Sequence, residues 1–147
     1  MNATDEQVRA WASVLRAHAA VVPRLERELA AVGMPLSWYD VLLELNSAPG
    51  RRLSMGELGA VAVVSRSRVS RVVDQLVAAG LATREANPED RRSAYAGITE
   101  AGRDRLRAAA PVYLDGIERH FAAQLSAAEA RGVATALEKV LAAFARS

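Results

Sequence analysis

The run from Ser54 to Leu81 constrains this chain more than any other. Ser54 and Glu57 stand three apart, the spacing at which a hydroxyl and a carboxylate cap each other's backbone N–H groups. They predict a short helix from Met55 to about Val61. Ser65 follows as an N-cap candidate, and Val69, Val72, Val73 and Leu76 then recur at helical spacing. Arg66, Ser67, Ser70, Arg71 and Asp74 fall on the opposite side. Gly80 sits where a left-handed C-cap belongs, with Leu81 placed to fold back on Leu76. A short capped helix, a tight turn and a longer basic helix make a helix-turn-helix. An ordinary amphipathic helix with a solvated face has the same pattern, so the flanking segments must decide.

A hairpin comes next. Leu81 to Glu85 reads as a short strand, Asn87 to Ser93 as a polar tip, and Ala94 to Ile98 as the return strand. Ala96 and Gly97 are weak strand formers, so the second strand rests on context. Arg91 and Arg92 stand at the tip beside Asp90. A thin loop carrying guanidinium groups suits a DNA minor groove, where negative potential is strong. Asp90 is placed to hold one arginine through a bidentate pair. A solvated charged turn is the plain alternative for this segment alone. The basic helix and basic hairpin in tandem favour nucleic acid.

Long apolar seams flank this centre. Val8, Trp11, Leu15, His18, Val22, Leu25, Leu29 and Val32 recur at spacings of three and four, with a kink expected at Pro23. Gly33-Met34-Pro35 breaks that helix. Ser37 then starts a second, with Asp40 close to capping-box spacing and Trp38, Val41, Leu42 and Leu45 as its apolar face. Pro49-Gly50 stops it. Beyond the hairpin, Thr99 caps a helix whose seam is Leu106, Ala110, Tyr113, Ile117 and Phe121, with a kink expected at Pro111. Ser126 and Glu129 open a last helix carrying Val133, Leu137, Val140, Leu141 and Phe144. Seams this long at both ends need partner helices. The expected fold is mainly α with a small β-hairpin wing. A winged helix-turn-helix lobe spans 36–100, and a helical dimerisation lobe is built from 1–32 and 105–147, in one domain over 1–147.

Charge agrees with the centre of the chain as the binding region. Residues 51–107 hold eleven arginines against seven acids, whereas residues 1–50 hold four against six. That excess points to an anionic partner. All basic residues but Lys139 are arginines, which suit bidentate contacts to phosphate and guanine. A genome rich in G and C favours arginine codons too, so position carries more weight than composition. There are no cysteines, which removes disulfides and thiol redox sensing. Asp5, Glu6, Arg9 and Arg16 interrupt the start, and the longest uncharged stretch, Leu29 to Tyr39, is too short for a membrane span. A cytoplasmic location without membrane contact is the expectation.

Several runs together resemble the multiple-antibiotic-resistance regulators, the MarR family. They are Ser65-Arg66-Ser67-Arg68-Val69-Ser70-Arg71-Val72-Val73-Asp74-Gln75-Leu76, Ala79-Gly80-Leu81, Asp90-Arg91-Arg92 and Ile98-Thr99-Glu100-Ala101-Gly102. The likeness extends from about Trp11 to Phe144. Ile98 stands where the family has Leu, and Ala96 where it prefers Val, which predicts a short or loose second wing strand. The resemblance implies that Arg92 is the minor-groove arginine, with Arg91 beside it and Asp90 as buttress. Ser65, Arg66, Ser67, Arg68, Ser70 and Arg71 then form the start of the recognition helix. It also implies that the terminal helices intertwine into a two-fold homodimer. Two recognition helices would meet half-sites of a pseudo-palindromic double-stranded operator about one turn apart.

Members of the family often bind small aromatic acids or phenols, which implies a repressor released by such an effector. Trp11, His18, Trp38 and Tyr39 are the residues that would line its site, and Trp11 and His18 share a face one heptad apart. The alternative is that they serve the core or the dimer contact. Two histidines remote in sequence argue against zinc, and no metal or cofactor is expected. A competing class is a winged-helix module that binds protein without specific DNA binding. An enzyme is not expected, because no nucleophile elbow, phosphate loop, His-Glu-x-x-His or Gly-x-Gly-x-x-Gly occurs.

Overall fold

The computed structural model describes residues 2–145, the side chain of Arg91 excepted. The helices are α1 (Asp5–Ala30), α2 (Leu36–Ser47), α3 (Met55–Val61), α4 (Arg66–Ala78), α5 (Glu100–His120) and α6 (Ala127–Ala145). The strands are β1 (Arg52–Ser54), β2 (Ala82–Asn87) and β3 (Asp90–Ile98). The chain divides into two compact units, residues 26–113, and residues 1–25 with 114–147. Both long helices continue through their prolines, Pro23 and Pro111. Next to Pro23, which lacks an N–H, the Arg24 guanidinium donates to the carbonyl of Ala20 at 2.6 Å.

The unit of residues 26–113 holds an antiparallel sheet in the order β1-β3-β2. Strand β1 has no counterpart in the sequence reading. It has no alternation of its own and exists through pairing, Leu53 opposite Ala96 and Ser54 opposite Tyr95. That extra partner makes β3 the central strand at Tyr95, Ala96 and Gly97, and pairing of Asp90 with Asn87 of β2 extends it back to Asp90, so it is longer than expected rather than short or loose. Ala96, fully buried, pairs with Leu53 on one side and Arg84 on the other. The polar tip also contracts. Strand β2 reaches Asn87 and β3 begins at Asp90, leaving Pro88 and Glu89 as the turn. Ala86 pairs with Ala94 but Asn87 with Asp90, so Arg91, Arg92 and Ser93 are looped out of register as a bulge.

Two helices of this unit end alike. At the end of α1, Gly33 has φ +76, with Met34 N–H donating to Leu29 O and Gly33 N–H to Ala30 O, both at 3.0 Å. After α4, Gly80 has φ +76, with Leu81 N–H donating to Leu76 O at 2.9 Å and Gly80 N–H to Val77 O at 3.0 Å. This is the Schellman ending, and it turns Met34 and Leu81 back into the core beside Leu29 and Leu76. Val41, Leu42 and Leu45 of α2, Leu58 of α3, and Val69, Val72 and Val73 of α4 complete that core. Ser54 and Glu57 form the expected capping box, at 3.1 and 3.2 Å.

Glu44 sits half-buried on α2, one turn after Asp40. Burial first, and the Asp40 carboxylate second, push its carboxyl above the ordinary value. A carboxyl raised in the folded state costs stability as pH rises through its range, because the unfolded chain gives up the proton more readily. Glu44→Gln should therefore melt higher than the wild type at about pH 7. The gap should close toward about pH 3, where both states hold the proton. Thermal melts at the two pH values check this.

The other unit is helical. Thr4 and Gln7 form a capping box ahead of α1, and Ser126 and Glu129 form the expected one ahead of α6. The seams expected on these helices lie open. Trp11 is 62% exposed, Leu141 67% and Phe144 71%, and Val8, Leu15, Val133, Leu137 and Val140 are exposed as well.

Candidate nucleic-acid interface

Helix α4 buries Val69, Val72, Val73 and Leu76. At 3.6 residues per turn, Ser67 and Arg71 project from the opposite side. Ser70 and Asp74 lie on one flank and Arg68 and Gln75 on the other. Arg66, Ser67, Arg68 and Arg71 are exposed, and Ser70 is half-buried. Arg66 lies close over α3, since a Cβ built on Gly59 would sit 3.4 Å from its Cγ. Ser65 occupies the N-cap position, but its hydroxyl lies 3.2 Å from that of Ser67 instead of accepting from the helix backbone.

Each flank is tied to a neighbouring element. On the wing side, the Arg84 guanidinium of β2 pairs with Asp74 Oδ1 at 2.6 Å and donates to Ser70 Oγ at 3.3 Å. Ser70 therefore faces the wing, not the open groove side on which the sequence pattern put it. On the α2 side, Trp38 Nε1 donates to Gln75 Oε1 at 2.9 Å. Asp40 Oδ2 accepts from the backbone N–H of Val63, in the turn before α4, at 2.8 Å. Asp40 thus caps the helix-turn-helix turn. The expected start of α2 at Ser37 is corrected: the N-cap is Pro35, with no side-chain cap. A third tie lies past α4, where Thr99 Oγ1 donates to Gly80 O at 2.8 Å and accepts from Gly102 N–H at 3.0 Å.

The wing tip is ordered by its own side chains. Asn87 Oδ1 accepts from Glu89 N–H at 2.9 Å, and Asn87 Nδ2 donates to Ser93 Oγ at 3.1 Å. Asp90 Oδ1 accepts from the backbone N–H of Arg92 at 3.0 Å. The expected carboxylate–guanidinium pair is not what joins Asp90 to Arg92. Asp90 shapes the bulge through the backbone and leaves the exposed Arg92 side chain pointing from it. The side chain of Arg91 lies outside the described residues.

The four residues considered for an effector are spread over both units. Trp11 and His18 are exposed on the helical unit's part of α1. Trp38 is half-buried with its N–H engaged by Gln75. Tyr39 is in the core, its ring centroid 4.5 Å from that of Tyr113. Burial first, and Tyr113 second, raise the Tyr39 phenol above its ordinary value. A shallow hollow of about 230 Å³ lies elsewhere, on the sheet, lined by Arg51, Arg52, Glu85, Tyr95 and Gly97 among others. Among the described residues, no cluster of three or more His, Cys, Asp or Glu is placed to hold a metal, and no helix is long and apolar enough to cross a membrane.

The order of helix, turn, outward-facing helix and ordered basic wing has close structural parallels. The MarR family model matches residues 32–93, from the end of α1 through the wing bulge. AbsC, a MarR family transcriptional regulator from Streptomyces coelicolor, is 27% identical with a TM-score of 0.84, over 100% of this chain and 99% of that one. Sco3205, a MarR family transcriptional regulator from the same organism solved in complex with DNA, is 31% identical with a TM-score of 0.83, over 95% of this chain and 89% of that one. The chain belongs to the MarR family. Bordetella bronchiseptica BpsR, whose DNA binding is regulated by 6-hydroxynicotinic acid, shares the fold at 21% identity and a TM-score of 0.77, over 95% of this chain and 96% of that one. No curated protein sequence matches significantly. In this MarR-family regulator the residues that sequence reasoning missed are Arg84, Gln75 and the true partner of Asp40. Each acts on a group far away in sequence, so spacing gave no signal for them.

Proposed function

We propose that this MarR-family regulator is a homodimeric, sequence-specific repressor of double-stranded DNA, acting in the cytoplasm and released by a small aromatic ligand. The observation that carries the DNA reading is the outward face of α4. Ser67 and Arg71 project from a helix tied on both flanks, beside a wing whose bulge presents Arg92. The face of Ser67 and Arg71 reads base edges in the major groove, with Arg66 and Arg68 on phosphates. Arg92, with Arg91 beside it, enters the adjacent minor groove. Sco3205 was solved with DNA, which supports the same use of this lobe. The exposed apolar residues of α1 and α6 support the homodimer, since faces of this size are rarely left to water. The regulation of BpsR by 6-hydroxynicotinic acid supports an aromatic effector. Trp38 and Tyr39 on α2 are the groups proposed to meet it.

Selection of bound duplexes from a random library, run on the wild type and on Arg71→Ala, tests the reading. A palindromic site with half-sites about one turn apart is expected, with affinity falling steeply as salt rises. Arg71→Ala should lose the base preference at one position of each half-site. Uniform loss of affinity with unchanged preferences would make Arg71 a phosphate clamp. A monomer mass by light scattering at micromolar concentration would remove the two-fold part of the reading.

A further inference from the structure

We propose that α2 sets the pose of the recognition helix through two side-chain ties, Trp38 to Gln75 and Asp40 to the backbone of Val63, making Trp38 and Asp40 positioning residues for specific DNA binding. This rests on the reading that α4 enters the major groove. The core under α4 consists of Val69, Val72, Val73 and Leu76, and dispersion contacts between aliphatic groups have little directional preference. Such a bed holds a helix down and sets its coarse orientation by interdigitation, but leaves small rolls and slides to be fixed by other contacts. Hydrogen bonds do resist them, because they weaken steeply away from linearity.

The two ties act at different places on the helix. Asp40 holds the N–H of Val63 at 2.8 Å, just before α4 begins. Trp38 holds Gln75 at 2.9 Å, toward the far end, on the flank opposite the Arg84–Asp74 pair. The first fixes α4 along its axis, and the second, working against Arg84, fixes its roll. Geometry sets how much this matters. A roll of about 10° carries a side-chain tip at a radius of about 5 Å through roughly 1 Å. Displacement of that size spoils a bidentate base contact, while mobile phosphate contacts absorb it. Loss of the ties should therefore lower specific binding and spare non-specific binding. Helix α2 is itself anchored just ahead of its start, where the Arg105 guanidinium of α5 donates to Gly33 O at 2.8 Å.

The test measures Kd on the full chain for a selected operator duplex and for a random-sequence duplex, at matched salt. Trp38→Phe keeps a ring but removes the N–H, and Gln75→Met removes the acceptor at an exposed position. Each should weaken operator binding by about 3- to 10-fold, the range for one hydrogen bond, and leave the random duplex within about 2-fold. The double variant should be no weaker than the worse single one, since both break one bond. Asp40→Ala should weaken operator binding similarly, and Asp40→Asn should recover most of it, because an amide oxygen still accepts from Val63 N–H. Arg71→Ala is the control for the underlying reading. An unchanged operator-to-random ratio in Trp38→Phe and Gln75→Met, with Arg71→Ala lowering it, overturns the ties alone. A ratio unchanged in all three overturns the reading of α4 and the ties with it.

Discussion

Adding one methyl group at Gly102 should lower the melting temperature by roughly 6–12 °C, from an overpacking cost of about 3 kcal/mol. A Cβ built there falls on the carbonyl oxygen of Leu81 and within 2.8 Å of Ile98 Cγ1. That carbonyl has no freedom to retreat. It accepts from Thr99 N–H at 3.1 Å, and the N–H of Leu81 is spent on Leu76 O at 2.9 Å in the ending of α4. Thr99 Oγ1 meanwhile bonds both Gly80 O and Gly102 N–H. Space for the methyl opens only if α5 moves off the end of α4, and then these bonds break together. Gly102→Ala measured by thermal melt checks this, with Gly56→Ala beside it. Gly56, in the first turn of α3, has no positive φ and nothing within 4 Å of a built Cβ. There alanine should stabilise by about 0.4–1 kcal/mol by restricting the unfolded chain. If Gly102→Ala melted within about 2 °C of the wild type, the close approach of α5 to Leu81 would be wrong.

Gly102 also marks the kind of feature the sequence makes legible. Thr99, three residues before it, reads as an N-cap from its place ahead of a periodic run, and its hydroxyl does accept from Gly102 N–H. The Ser54–Glu57 box and the Gly80 ending were readable for the same reason: each is closed within a few residues by backbone geometry that only certain side chains satisfy. The site is less legible because its order depends on distant partners. Asp40 looked like a cap for its own helix, yet its carboxylate goes to Val63. Ser70 carried the pattern of an outward residue, yet Arg84 takes its hydroxyl. Helical periodicity gives the core face of α4 sharply, because four aliphatic positions define it. It cannot say which of the remaining directions faces the wing, α2 or open solvent, since that depends on where β2 and α2 pack. Strand β1 failed for a related reason: Arg52-Leu53-Ser54 becomes a strand only because β3 passes beside it.

Arg92→Ala should weaken operator binding by about 1–3 kcal/mol, roughly 5- to 150-fold, without lowering the melting temperature. The two halves of that expectation come from different atoms. Stability is spared because the bulge is held by backbone and neighbouring side chains. Asp90 Oδ1 accepts from Arg92 N–H at 3.0 Å, and Asn87 binds Glu89 N–H and Ser93 Oγ at 2.9 and 3.1 Å. Alanine keeps the N–H and so keeps the bulge. Affinity is lost because the exposed guanidinium, carried on a backbone that is already shaped before DNA arrives, is the group that meets the groove. A minor groove concentrates negative potential, and the lost cation should also reduce the slope of log affinity against log salt by about one. Asp90→Ala separates positioning from contact. It leaves Arg92 in place but frees the bulge, so it should weaken binding less than Arg92→Ala and leave the salt slope nearly unchanged. Titrations of one operator duplex at several salt concentrations read both quantities. Equal affinity of Arg92→Ala and wild type at matched salt would mean that the wing does not enter the groove, and α4 alone would have to account for binding.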